Sequence, residues 1–567
     1  MNTRDMPAVS RRDWLGAVST PALAAALLAT SSRAAEAAST APGARAGAQV
    51  YNIRDFGAKG DGTTLDTAAV QAAIDACARD GGGTVLVPAG RFVIGTTELK
   101  SNVTLHLAAS ATLLGSGDGK QYHAIDAIPL SGDSTLGDGN WALLFAVEAK
   151  NITVEGAGTI DGQGQLFNNY GQSQPPPAGI NGARRPYHLL FHRCENLVVR
   201  DISLLRCAFH SIRVIQSERV RMDGLYIHNR VNVNNDGFHF ISARYVTISN
   251  CTLLCQDDAC ALFGSCQFVT VTNCVFSTRW SVFRFGGGAV KNIAVSNCLI
   301  YETYGCPIKV GAGGMQLENL SFSNIVLQNV TGPIGINFSA RGRNDAALAP
   351  DAPRPFVRNL SFSHIRASLA AAPSQTYTDM LTFGRIYDGE QNSCITLNGI
   401  GEAFIENVTF DDVHVTSAGG GTAELAAKRK IPQNTREYFG VWSEAPFGPP
   451  AYGLFARNVK GLTLHNVRFE VAKPDLRPAI VLDNVIDVSI NGLSAQGNPA
   501  GESVLRFTGV QDALISAARV LSPAAAFLQL EGDRNAGITV DGGDVAKAAA
   551  PLAFRDGATE KAVRLRS

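Results

Sequence analysis

The chain has 567 residues, of which 45% are hydrophobic and only 17% are charged, so it can bury a large core. Positive and negative side chains balance to a net charge of zero, which gives no support to a nucleic-acid partner. The 57 glycines favour many tight turns and stacked strands over long surface helices.

The first 37 residues have the features of an export signal of the twin-arginine type. Arg11 and Arg12 precede an apolar run from Leu15 to Ala29, and Ala35-Glu36-Ala37 offers small residues to a signal peptidase. The run is too short and too rich in alanine to span a bilayer well. We therefore expect an exported protein, periplasmic or extracellular, whose mature form does not sit in a membrane.

The mature fold is expected to be one domain, residues 50–567, after a small-residue linker at 38–49. A glycine-rich loop from Asp55 to Gly62 leads into Thr67 to Ala78, where apolar residues recur at helical spacing. The loop lacks the GxxxxGK[ST] pattern of a phosphate-binding loop. We predict instead that the helix caps the open end of a stacked β core.

From residue 102 onward, a short sequence repeat recurs, in which apolar and polar residues alternate and a turn follows at Asn or Asp. Such alternation indicates strands with one buried face. A period in the twenties also occurs in leucine-rich repeats, but the leucine ladder of those proteins is absent here. The pattern predicts an all-β right-handed parallel β-helix. The intervals of 23, 26, 23, 24 and 27 residues separate units that begin at Asn196, Arg219, Tyr245, Phe268, Asn292 and Asn319.

Later units are further apart and leave room for long loops, at 341–358 and 419–452. Insertions in a solenoid usually emerge on one side, so these loops are expected to wall a groove.

Three of the eleven cysteines, Cys251, Cys274 and Cys298, follow an Asn at the same place in successive repeats. This placement predicts a stack of small buried side chains, in which free cysteine behaves as a hydrophobic residue. No CxxC pair occurs, and we expect neither a metal nor a cofactor.

Three carboxylates carry the candidate chemistry. Asp236 precedes the doublet Asp257-Asp258 by 21 residues, which on a β-helix is one rung, roughly 5 Å. Hydrolysis of a glycosidic bond needs one carboxyl to protonate the leaving oxygen and one carboxylate to activate water or attack carbon. Crowded carboxylates also separate each other's pKa values, so that one stays protonated. The spacing therefore predicts a glycosidase active site.

Asn234-Asn235-Asp236, Asp257-Asp258 and Ile308-Lys309 resemble motifs of glycoside hydrolase family 28, the polygalacturonase family, written NTD, DD, GHG and RIK. The resemblance covers roughly residues 50 to 490. It implies an inverting hydrolase of a pectin-type or related uronate-containing polysaccharide or oligosaccharide. It also implies that Asp257 is the general acid, that Asp236 and Asp258 hold and deprotonate water, and that Lys309 binds the sugar.

Two departures from the family motifs concern substrate binding. No Gly-His-Gly follows the doublet, and Pro307 stands where the arginine of RIK is expected. Arg279 or Arg284 could supply a guanidinium from another rung, and a bidentate arginine suits a carboxylate. Either could equally be an ordinary coil-surface residue. Asn234 and His239 are further candidate substrate-binding residues, although His239 could instead be structural.

Two other functions fit the same fold. A polysaccharide lyase would use Asp clusters for calcium and Arg or Lys as a base, but the family-like spacing favours acid and base roles for the carboxylates. A non-catalytic β-helix that binds glycans is the second. Whichever of the three functions applies, we expect the protein to be a monomer.

Overall fold

The computed structural model describes residues 49–566 except 129–139, 168–184, 343–345, 373–388, 434–441 and 443. The predicted export signal, residues 1–37, and nearly all of the linker lie outside the described residues. Among the residues described, no helix combines the length and hydropathy needed to cross a membrane.

Strands dominate the described residues and follow one another along the whole chain. The first thirteen are β1 (Val50–Asn52), β2 (Asp61–Leu65), β3 (Gly83–Val87), β4 (Gly90–Ile94), β5 (Thr97–Glu98), β6 (Val103–Leu107), β7 (Ala111–Gly115), β8 (Ala142–Val147), β9 (Lys150–Gly156), β10 (Thr159–Asp161), β11 (Tyr187–His192), β12 (Glu195–Arg200) and β13 (Ser203–Leu205). The central fifteen are β14 (Ile212–Ile215), β15 (Glu218–Asp223), β16 (Tyr226–Asn229), β17 (Phe238–Ile241), β18 (Arg244–Ser249), β19 (Thr252–Cys255), β20 (Cys260–Phe263), β21 (Gln267–Thr272), β22 (Val275–Ser277), β23 (Phe283–Gly286), β24 (Ala289–Tyr301), β25 (Ile308–Gly313), β26 (Gln316–Val330), β27 (Ile334–Ser339) and β28 (Phe356–Leu369). The last twelve are β29 (Ile395–Ile400), β30 (Ile405–Ser417), β31 (Leu454–His465), β32 (Arg468–Val471), β33 (Ile480–Asn491), β34 (Ser494–Ala495), β35 (Leu505–Thr508), β36 (Gln511–Val520), β37 (Ala524–Glu531), β38 (Ala536–Asp544), β39 (Ala548–Arg555) and β40 (Val563–Arg566).

The strands stack into the three faces of a right-handed parallel β-helix, as the repeat predicts. On each face, a strand pairs in parallel with its counterpart one coil earlier and one coil later. The face that matters for function contains β8, β11, β14, β17, β20, β23, β25, β27 and β29, in that order. From β24 onward, several strands bend round a corner and serve two faces, and coils continue to Arg566. Residues separated by one coil therefore lie side by side, about 4.8 Å apart.

The core is a set of side-chain ladders that run along the coil axis. Phe322, Phe362 and Phe410 stack with ring centroids 5.5 and 5.1 Å apart. All eleven cysteines are free and buried. Cys251 and Cys274 lie on adjacent coils as predicted, with Cys251 N 3.5 Å from Cys274 Sγ. Because each rung contributes one equivalent side chain, the core lengthens with the coil without becoming wider.

Asparagines form a matching ladder on the outside of the turns. Asn324 donates from Nδ2 to Oδ1 of Asn297, 2.7 Å away, and Asn359 donates in the same way to Asn319 at 3.1 Å. These residues adopt positive φ angles, which Asn tolerates better than most residues. The ladder explains why Asn recurs at the turns.

Two α-helices are present in the described residues. Helix α1 (Thr67–Arg79) lies where the sequence predicts a helix and buries Val70, Ile74 and Cys77 against the first coil. Its role as a cap stays a prediction. Helix α2 (Ala423–Ala426) is a single turn inside the predicted loop 419–452.

Candidate active site

The turns that lead into one face of the coil bring the predicted carboxylates together. His210, Asp236, Asp258 and Ser281 each stand two residues before a strand of this face, and the strands that follow them are in register. Backbone hydrogen bonds link the turns, for example from Gly237 N to Asp258 O at 3.0 Å. Asp236 and Asp258, which are 22 residues apart, therefore occupy the same place on adjacent rungs, and the sequence spacing correctly predicts that Asp236 is one rung from the doublet.

Asp257 lies one position earlier in its turn and is held there by neighbours. Its Oδ1 accepts a hydrogen bond from the backbone N of Asp258 at 2.9 Å, and its Oδ2 accepts one from Asn234 Nδ2 at 3.3 Å. The hydroxyl of Thr278 donates to its backbone carbonyl. Both members of the doublet are half-buried and so stay open to solvent at this face of the coil, where the groove is predicted.

Asn235 shapes the turn that presents Asp236. Its side chain is fully buried, accepts hydrogen bonds from the backbone N of Val231 and Asn232, and donates to the carbonyls of Cys207 and Phe209. The side-chain amide thus satisfies backbone groups that have no strand partner where the chain turns. This fixes the direction in which the next side chain, that of Asp236, points.

Asp236 is the most deeply buried of the three carboxylates, with 4% of its surface exposed. Burial raises the pKa of its carboxyl well above the usual range, and the nearby charges of Asp257 and Asp258 raise it further. A carboxylate with a raised pKa binds a proton more strongly, so Asp236 is a better proton acceptor than an isolated Asp.

Two histidines contact Asp236 from the same side. His239 Nδ1 lies 2.9 Å from Asp236 Oδ2, and His210 Nε2 lies 3.6 Å from the same oxygen. The two imidazole rings stack with centroids 4.3 Å apart and planes only 10° from parallel. Burial lowers the pKa of both imidazoles well below the usual value. Both rings are therefore neutral near pH 7.

His210, Asp236 and His239 offer three ligand atoms within 4.8 Å of one another, so a metal must be considered. An imidazole binds a metal through a nitrogen lone pair, which lies in the plane of its ring. The planes of two nearly parallel stacked rings do not meet close to both nitrogens. As placed, the three residues do not fit one metal ion.

Most of the side chains three residues after the carboxylate position on each rung of this face are basic. Arg213, His239, Ala261, Arg284 and Lys309 are successive register partners on β14, β17, β20, β23 and β25. Arg284 and Lys309 are thus on directly adjacent rungs, one and two rungs beyond that of Asp258. Arg284 is the register partner of Lys309, not of Pro307, which stands where the arginine of RIK is expected.

Lys309 is almost completely buried, with its Nζ 5.8 Å from the centre of the Trp280 ring, whereas Arg284 is partly exposed. A Cβ at Gly311 would approach Arg284 Nη1 to 2.6 Å, so the glycine leaves room for the guanidinium. Arg284 Nη1 also donates to Phe285 O at 3.3 Å.

Arg279 is not placed as a groove residue, contrary to the possibility raised from the sequence. It has no exposed surface, and its guanidinium lies 3.4 Å from Glu390 and donates to the carbonyl of Tyr304. A buried arginine needs a partner charge, and the insertion between β28 and β29 supplies it. The structure therefore assigns Arg279 to an internal ion pair.

The other sequence-predicted candidates lie at the site. Asn234 bridges Arg185, whose Nη2 donates to its Oδ1 at 3.2 Å, and Asp257. Sequence reasoning missed Arg185, His210 and Ser281, whose hydroxyl donates to Asp258 Oδ1 at 2.6 Å. Counting back two residues from each strand of this face would have found His210 and Ser281.

The sequence around this site matches a known protein family. Residues 77–380 match the model of glycosyl hydrolases family 28. The chain belongs to this family. It is accordingly a glycosidase that acts on O-glycosyl bonds.

Individual relatives agree with this family membership. An exopolygalacturonase from Platanus acerifolia is 27% identical over 338 residues, which is 58% of this chain and 84% of the relative. An exo-poly-alpha-D-galacturonosidase from Dickeya chrysanthemi is 29% identical over 50% of this chain and 56% of the relative. The solved structure of a Yersinia enterocolitica family 28 exopolygalacturonase superposes with a TM-score of 0.54 at 21% identity, covering 77% of this chain and 78% of that one. This last similarity supports the β-helix fold.

Proposed function

We propose that this family 28 enzyme hydrolyses, with inversion, the glycosidic bonds of a pectin-type polysaccharide or oligosaccharide that contains uronate. What carries the proposal is the stacking of Asp236 and Asp258 on adjacent rungs, with Asp257 beside them and Arg284 and Lys309 on the neighbouring strands. The carboxylates supply the chemistry of glycoside hydrolysis. The cations supply a partner for an acidic sugar.

In the proposed reaction, Asp257 protonates the glycosidic oxygen of the leaving sugar. Asp236 and Asp258 bind a water molecule between adjacent rungs and orient it towards the anomeric carbon. As the bond from that carbon to the leaving oxygen breaks, the water oxygen bonds to the carbon and its proton passes to Asp236. Two separate carboxyl roles are what an inverting mechanism requires.

Recognition of the uronate is assigned to Arg284 and Lys309. A carboxylate accepts charge-assisted hydrogen bonds, and these are stronger than neutral ones. Two cations about 4.8 Å apart can hold both oxygens of one carboxylate or the carboxylates of two consecutive sugars. Asn234 and His239 lie next to the carboxylates and are proposed to contact the sugar nearest the cleaved bond.

The relatives named exopolygalacturonase suggest that cleavage proceeds from a chain end. Phe455 is three rungs beyond Lys309 in the same register, about 14 Å away. There Lys428 and Ile431 from the loop 419–452 line a cavity together with Phe455, Val481 and Arg506. This loop would close the groove on that side and favour exo action.

The remaining expectations about the whole molecule are part of this proposal. We infer that residues 1–37 direct export through the twin-arginine route, that residues 50–567 form one catalytic domain, and that the mature enzyme acts as a monomer outside the cytoplasm.

The proposal is tested by incubating the purified protein with polygalacturonate and with a panel of pectic oligosaccharides. Saturated products with new reducing ends are expected from the wild type, with or without a chelator, and none from Asp257→Asn. Calcium-dependent unsaturated products that absorb in the ultraviolet would identify a lyase instead. Binding of every glycan by both forms without turnover would identify a binding protein.

A further inference from the structure

The proton transfers of the reaction proposed above involve neither of the two stacked histidines beside Asp236. His239 places Nδ1 within hydrogen-bond distance of Asp236 Oδ2, so a proton can pass between the two atoms. A neutral imidazole can accept a proton at one ring nitrogen and release one from the other. His239 retains 8% of its surface exposed, twice the exposed fraction of Asp236.

Asp236 needs a route by which to lose a proton. In each turnover it takes one from the attacking water, and it must be charged again before the next. Its carboxyl is nearly enclosed, and the proton is held tightly there because Asp257 and Asp258 are close. Arg213 and Arg185 are the cations that oppose this effect. His239 borders both the carboxyl and the groove.

We propose that His239 carries the proton from Asp236 to the groove after each cleavage and that His210 is a positioning residue that holds the ring of His239. The inference rests on the proposed function. The Asp236 Oδ2–H bond breaks as a bond to His239 Nδ1 forms, and the proton on Nε2 leaves to groove water. Asp236 is then a carboxylate again, His239 is neutral with its proton on Nδ1, and no further reactant is consumed. The ring of His239 then turns so that Nδ1–H meets groove water, and Nδ1 gives up its proton there as Nε2 takes one. The ring turns back as the starting tautomer.

His210 acts through the face of its ring. Neither of its nitrogens has a hydrogen-bond partner among the residues that the structure describes, and only 1% of its surface is exposed. Its ring centroid lies 4.0 Å from that of Phe209 and 4.3 Å from that of His239. A phenyl ring should therefore replace it, whereas a methyl group should not.

The variants His239→Asn and His239→Ala test the proton carrier. Asparagine can keep a hydrogen bond to Asp236 but cannot exchange protons through a ring, so kcat should fall about 10²-fold. Added imidazole should restore part of the kcat of His239→Ala and should do nothing for the wild type. Full kcat in His239→Asn, or no rescue of a folded His239→Ala, would overturn the relay.

The matched pair His210→Phe and His210→Ala tests the positioning role. His210→Phe should keep at least about half of the wild-type kcat, and His210→Ala should lose most of it with little change in KM. Should His210→Ala fail to fold, His210→Phe still decides: a loss of kcat as large as that of His239→Asn would refute a role that uses only the ring face.

Histidine-selective nitrogen-15 NMR of the full-length protein separates failure of this inference from failure of the proposed function. Asp236→Asn should shift the Nδ1 resonance of His239, and unchanged histidine resonances would refute the proton link whether or not the enzyme turns over. Wild-type turnover of polygalacturonate with full activity in His239→Asn would refute the relay alone. A wild type without glycosidase activity, but with the expected NMR shift, would refute the proposed substrate and leave the proton link established.

Discussion

Replacing Glu390 with glutamine should destabilise the protein without weakening substrate binding. The side chains of Arg279 and Glu390 have 0% and 2% of their surface exposed, and their charged atoms are 3.4 Å apart. Removing one charge of a buried pair leaves the other uncompensated, which costs about 3–5 kcal/mol. Folded proteins are stable by only about 5–15 kcal/mol, so the loss should be easy to measure.

The assay compares urea denaturation midpoints and KM for polygalacturonate in Glu390→Gln and in Glu406→Gln, an exposed glutamate on β30. The control should behave as the wild type. The double variant Arg279→Leu with Glu390→Leu should recover part of the lost stability, because it removes both charges. An unchanged midpoint in Glu390→Gln together with a raised KM would refute the internal ion pair and make Arg279 a substrate-binding residue again.

Three other variants probe the site and the core. Arg284→Met and Lys309→Met should each raise KM for polygalacturonate about tenfold or more, because each removes a charge-assisted hydrogen bond. KM for a neutral pectic oligosaccharide should change little. Equal effects on both substrates would contradict uronate recognition. Asp236→Asn should abolish turnover yet raise the denaturation midpoint at pH 7 more than at pH 4. The reason is that the folded-state pKa of Asp236 lies above its unfolded value, so the carboxyl destabilises the fold as pH rises from the unfolded towards the folded value; a gain that is larger at pH 4 would refute this sign. Phe322→Ala should lower the free energy of unfolding by about 3–5 kcal/mol, measured by denaturant titration, because it interrupts the phenylalanine stack; a loss below about 1 kcal/mol would show that the stack contributes little.

Much of the fold could be predicted because the chain repeats. The alternation of apolar residues indicates a buried face, and a near-constant interval puts equivalent residues on adjacent rungs. The interval alone is enough to bring Asp236 next to Asp257 and Asp258. It also predicts the Asn ladder and the buried cysteine stack.

The sequence was less informative wherever an insertion contacts the coil. Arg279 looks like a surface residue of its rung, and its partner Glu390 is 111 residues away in an insertion that has no repeat signal. Spacing alone cannot show which rung an irregular segment packs against. Similarly, α2 is a single turn, too short to produce a helical period in the sequence.

His210 was missed for a different reason. It stands at the same place in its turn as Asp236 and Asp258, so the register contained the information. However, His210 is one rung N-terminal to Asp236, and neither the carboxylate pattern nor the family motifs include a residue on that rung. In a β-helix, a functional residue is best sought by following its column in both directions.

The most direct test of the proposed function follows the first product of polygalacturonate cleavage by proton NMR, with wild type and Asp257→Asn in parallel. We expect the wild type to release saturated galacturonate whose new reducing end first appears as the β anomer, before mutarotation, and Asp257→Asn to release none. First appearance of the α anomer, an unsaturated product, or undiminished release by Asp257→Asn would contradict it.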